Sequence, residues 1–148
     1  RDYCEDEREV VESSRGRVEV VYDADVYAST HGLNGAPSLG KLVAGLIAKL
    51  PHYVHVSFDI DALDPGLCPG TGTPVPGGLS FNLAAYILQT LAESGRRVVS
   101  FDLVEVCPRS GRDADEWDAN VGARVLYKLC GCAARAGAKP AKGRPKRR

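Results

Sequence analysis

Hydrophobic and polar residues recur along this chain with two different periods, and the switches between them mark its elements. From Ser38 to Leu50, the apolar positions Leu39, Leu42, Val43, Leu46, Ile47 and Leu50 follow a helical stripe. Ser38 is placed to cap that helix and Pro51 to stop it. Val54, Val56, Phe58 and Ile60 then repeat at every second residue, as in a strand with one buried face. A second helix is predicted after Ser80, with Ala84, Ile87, Leu88 and Leu91 turned inward and Gly95 as terminator. Val98 to Val106 is an almost unbroken apolar run, which predicts a strand buried on both faces. A third helix is predicted from about Asp115 to Ala134, with Val121, Val125, Leu129 and Cys132 along one side, and Val18 to Tyr22 reads as a short strand. Strands alternating with amphipathic helices predict an α/β domain with a parallel sheet.

At 148 residues, 44% apolar and 26% charged, the chain has the size and composition of one ordinary globular domain. It has no methionine, even at its first position, so it is expected to be a piece of a longer chain. No apolar run nears the ~20 residues that span a bilayer, so no membrane partner is expected. The formal net charge of zero conceals an asymmetry. Six of the 19 basic residues lie in 139–148, which leaves 13 against 19 acids, a balance of −6, in 1–138. An acidic body is not the footprint of a nucleic-acid-binding domain. Gly143-Arg144-Pro145 has the form of a minor-groove hook, but a single copy on an acidic body reads as part of a disordered, solvated tail. The five cysteines are odd in number and scattered, with no C-x-x-C, so mostly buried, reduced thiols and a cytoplasmic location are expected. Cys130 and Cys132 stand two apart on a predicted helix and so do not face each other. Trp117, among acids at a helix start, reads as a core or interface anchor.

The chemistry concentrates in Ser57 to Leu79, SFDIDALDPGLCPGTGTPVPGGL. Asp59 and Asp61 share a side of the strand at its carboxyl end, the edge where α/β sheets bind ligands. Two adjacent carboxylates repel each other, and a divalent cation between them removes that penalty. Taken alone, a D-x-D here is better read as turn-capping aspartates, since Asp64-Pro65-Gly66 is itself a turn signal. An EF-hand is excluded by Leu63, Asp64 and Gly70 at positions where its loop needs an oxygen ligand, glycine and glutamate. An aspartyl-nucleophile phosphohydrolase stays open as a lesser alternative, with Leu63 where that pattern carries Thr or Val.

The whole string strongly resembles the ureohydrolase family, which includes arginase, agmatinase, guanidinobutyrase and formimidoylglutamase. The aspartates, Gly70-Thr71-Gly72-Thr73-Pro74 and Gly77-Gly78-Leu79 carry the likeness, and Ser100 to Pro108 (SFDLVEVCP) forms a second matching block. It extends well over Val54 to Leu129 and loosely over the first fifty residues. The resemblance implies a three-layer α/β/α domain with a mainly parallel sheet, present here as its C-terminal part over 1–138. It also implies hydrolysis of a guanidino or amidino compound to urea or formamide and an amine, with two manganese ions, and assembly into a homo-oligomer. Carried over by position, Asp59 would bridge both ions, Asp61 would bind one, and Glu105 would hold the guanidinium. Thr71 and Thr73 would lie beside the substrate. The GTGTPVPGG loop is closer to agmatinase and arginase than to formimidoylglutamase. Without the resemblance, an ion pair with an arginine would explain Glu105 equally well.

The chain also departs from the family. The upstream G-G-D-H and D-A-H-x-D segments are absent, and Asp23-Ala24-Asp25 lacks the histidine. His55 shares the Asp59 face but lies about 13 Å back along the strand. His52 is expected in solvent, and His31 is the one histidine considered for a proton-shuttling, catalytic part, from a loop. Asp102 is expected to be a buried carboxylate satisfied by backbone donors. A non-catalytic interaction or assembly remnant of the fold therefore remains the alternative to an enzyme.

Overall fold

In the computed structural model, which describes residues 2–108 and 116–135, β1 (Tyr53–Asp59) and β2 (Arg97–Val104) lie side by side and parallel. Around them are α1 (Glu5–Ser13), α2 (Asp23–His31), α3 (Leu39–Lys49), α4 (Phe81–Glu93) and α5 (Trp117–Arg135). In space α5 packs on β2 and on α4, α4 on α3, and α3 on α2. The core joins Val43 and Ile47 of α3, Leu88 and Leu91 of α4, and Val125 and Leu129 of α5 to Ile60, Leu63 and Val98. This is a partial α/β domain. No helix among the described residues is long and apolar enough to cross a membrane.

The predicted helices form where their stripes can be buried. Ser80 Oγ accepts from Leu83 N at 3.1 Å and starts α4, and Gly95, at φ +84°, takes the left-handed turn that ends it. Ser38 is the N-cap of α3 but makes no side-chain cap bond. The third helix begins at Trp117, which is 52% exposed and so is no core anchor. Asp115 and the basic tail lie outside the described residues.

Other expectations are corrected. Val18 to Tyr22 pairs with no strand among the described residues. Tyr22 instead caps α2, its N–H bonded to Asp25 Oδ2 at 3.2 Å, because β-rich residues need a neighbouring strand to become one. β2 stops at Val104 because Glu105 adopts a left-handed φ of +64°. Among the described residues only one face of that strand is packed: Val98 is buried, whereas Val99 is 59% exposed. On the open face His55 Nδ1 meets Ser100 Oγ at 2.8 Å and its Nε2 meets Asp102 Oδ2 at 3.1 Å, while Ser57 Oγ donates to Asp102 Oδ1 at 2.6 Å. Among the described residues Asp102 is thus held by side chains across the strand pair rather than by backbone donors. Of the free cysteines, Cys68 and Cys132 are buried, but Cys4, Cys107 and Cys130 are exposed.

Candidate functional site at the carboxyl edge of the sheet

The strand β1 ends at Asp59 because its side chain captures the next turn. Asp59 Oδ1 accepts from Asp61 N at 3.1 Å and caps the 3-10 turn Ile60–Ala62. Ile60 is driven fully into the core, which turns the chain and sets Asp61 beside Asp59. Turn capping and carboxylate pairing are therefore both present. Thr73 Oγ1 donates to Asp61 Oδ2 at 2.8 Å, and Asp64 Oδ1 accepts from Gly66 N at 2.7 Å, forming the turn expected at Asp64-Pro65-Gly66. The loop between is closed at its neck, where Asp64 N donates to Leu79 O at 3.0 Å and Leu79 N to Ala62 O at 2.9 Å.

The same loop reaches the end of β2. Cys107 N donates to Gly70 O at 2.8 Å, and a Cβ added at Gly72 would lie 2.9 Å from Glu105 Oε2. Glycine at 72 is what lets the loop approach Glu105 this closely. Asp59, Asp61 and Glu105 therefore gather at one edge of the sheet. Their proximity is felt electrostatically. Burial pushes the Asp59 carboxyl above its ordinary value, the bond from Asp61 N opposes this, and the charges of Asp61 and Glu105 add to the rise.

A cavity of about 660 Å³ opens beside this edge, lined by Asp61, Thr73, Val75 and Leu79 and, opposite, by Asp2, Tyr3, Asp23 and Val26. Asp23, the first residue of α2, also lines this cavity, which its position in the sequence did not reveal. Thr71 does not line the cavity, and its hydroxyl is enclosed without a hydrogen-bond partner among the described residues. His31 is not brought to the edge. It is the last residue of α2 rather than a loop residue, and it is exposed, with Nδ1 at 2.9 Å from Tyr27 O and its ring stacked on Tyr27.

Among the described residues, no three His, Cys, Asp or Glu side chains come together as a metal site. Asp59 and Asp61 offer two carboxylates, an all-oxygen donor set that suits a hard divalent cation in kind but not in number.

The model of the arginase family matches residues 14–131. The chain belongs to the arginase family. It is 43% identical over 77 residues to arginase of Schizosaccharomyces pombe, a match covering 52% of this chain and 24% of that protein. The crystal structure of arginase from Bacillus subtilis subsp. subtilis str. 168 superposes with a TM-score of 0.67 at 26% identity, over 95% of this chain and 43% of that one. A hypothetical agmatinase from Burkholderia thailandensis superposes with a TM-score of 0.67 at 30% identity, over 93% of this chain and 39% of that one. The arginase-family chain described here thus spans about a quarter of the length of the curated relatives it matches and about two fifths of these structures. Its fold is the arginase fold in part.

Proposed function

We propose that this chain carries half of the active site of a manganese-dependent ureohydrolase, which cleaves a guanidino compound to urea and an amine. The observation that carries the reading is the gathering of Asp59, Asp61 and Glu105 against the 70–73 loop, in a chain of the arginase family. Asp59 and Asp61 would help to hold the manganese, with further ligands supplied from outside the described residues. A bound manganese pair supplies the Lewis acidity that activates water against a resonance-stabilised, weakly electrophilic guanidinium.

The chain's own residues do the rest. Thr73 orients the Asp61 carboxylate through its hydroxyl. Glu105 presents a carboxylate to the guanidinium, whose paired N–H groups match two carboxylate oxygens. Burial and the neighbouring carboxylates raise the Asp59 carboxyl above its ordinary value, so a cation beside it would relieve an unfavourable charge. Relatives named arginase and agmatinase make arginine and agmatine the first substrates to try. The phosphohydrolase alternative finds no counterpart among these relatives.

One observation favours a second reading, a non-catalytic interaction or assembly protein: no third metal-binding side chain joins Asp59 and Asp61 among the described residues. Urea release from agmatine and from arginine by the complete protein, with and without added manganese, separates the two. Manganese-dependent urea from either substrate is expected. No urea from the manganese-loaded protein with any guanidino compound would leave the non-catalytic reading standing.

A further inference from the structure

Asp118 is the second residue of α5 and is 2% exposed, yet its Oδ1 has no hydrogen-bond partner among the described residues. An enclosed carboxylate oxygen without a donor is unfavourable. Stability alone therefore does not explain an aspartate here. Its surroundings do. A Cβ at Gly70 would lie 2.2 Å from Asp118 Oδ2 and 2.4 Å from the Cys107 carbonyl oxygen, so only glycine fits the notch between helix start and strand end. Gly70 O accepts from Cys107 N, and two residues on Gly72 lies against Glu105. The loop thus grips the end of β2 at two points, 70 with 107 and 72 with 105, and Asp118 closes the third side. Burial, and then the Asp118 carboxylate, push the neighbouring Cys68 thiol up to about 11, so Cys68 stays protonated beside it.

We infer that Asp118 is a positioning residue for substrate recognition: it fixes the 70–73 loop against the strand end, and through Gly72 it sets where the Glu105 carboxylate stands. This rests on the assignment of Glu105 to guanidinium recognition proposed above. The recorded neighbours of Asp118 are Gly70 and Cys68 of the loop, so its effect is predicted to fall on substrate binding.

The test uses the complete, manganese-loaded protein and the variants Asp118→Ala, Asp118→Asn and Gly72→Ala. Asp118→Ala is expected to raise KM for the guanidino substrate roughly tenfold, with kcat and the manganese activation midpoint changed less than about twofold, the signature of lost uniform binding. Asp118→Asn keeps the shape and one acceptor oxygen and is expected to return KM to within about twofold of wild type. Gly72→Ala, which pushes on Glu105 from the other end, is expected to raise KM as Asp118→Ala does. Hydrogen exchange is the readout that does not depend on activity: the amides of Gly70 to Thr73 should exchange faster in Asp118→Ala, while those of α4 stay unchanged. A wild-type KM in Asp118→Ala, a matching loss of manganese activation, or unchanged exchange in the loop would each overturn the inference. A protein that cleaves no guanidino compound defeats the proposed function by itself, and loop exchange still decides whether Asp118 holds the loop.

Discussion

Asp59 joins the end of β1 to the turn that follows, and burial is the first cause that raises its carboxyl above the ordinary value of 3.8. The sign of the linkage follows. A carboxyl whose folded value is raised favours the folded state fully below 3.8, and that contribution is lost as pH climbs through the folded value. In metal-free protein, Asp59→Asn, which keeps an oxygen for Asp61 N, should therefore melt higher than wild type at about pH 7, and the gap should close toward about pH 4. Thermal melts across that range check this, and a gap that stays constant would contradict it. Asp59, Asp61 and Glu105 stood out in the sequence because each lies where a legible apolar strand gives way to a turn. Asp118 and Asp23 did not. Each lies at the start of a helix, and only the folded chain sets Asp118 against Gly70 and Asp23 across the cavity from Asp61.

Among the elements, α3, α4, α5, β1 and β2 were legible because each buries a periodic apolar set. Val43 and Ile47 of α3 and Ala84, Leu88 and Leu91 of α4 are the inner members of the stripes the sequence shows. The helices α1 and α2 left no such trace. No residue of α1 is buried, and it is supported instead by acids in its first turn and by Arg8 pairing with Glu5 and Glu12. Only Ser29 of α2 is buried, and its sequence signals lie at its ends, Asp23 and Asp25 in the first turn and a stop at Gly32, φ +67°. The two serine caps separate a signal that became a bond from one that did not. Ser80→Ala should cost about 1 kcal/mol of stability, since Ser80 Oγ caps α4. Ser38→Ala should cost only a small fraction of that, and denaturant melts of both variants check the contrast. Equal losses would contradict the assignment of caps.

At the scale of the whole molecule, each strand of the sheet has a neighbour on one side only among the described residues, and Tyr53, Val99, Leu126 and Tyr127 are exposed. Open strand edges and exposed apolar side chains recruit partners. The 148-residue chain by itself should therefore self-associate and bind manganese weakly, since two carboxylates from one strand end leave most of the coordination shell to water. Light scattering and calorimetric titration check both, and a well-folded monomer that binds two ions tightly would contradict them. The family was legible because its motif is continuous in sequence over 57–79 and 100–108. The account stands or falls on the carboxylate edge as a catalytic site. Its most direct test is urea release from agmatine and arginine by the complete, manganese-supplied protein and by its Asp59→Ala variant. Activity that needs manganese and disappears in Asp59→Ala is expected; activity that survives the substitution, or that needs no metal, would contradict the account.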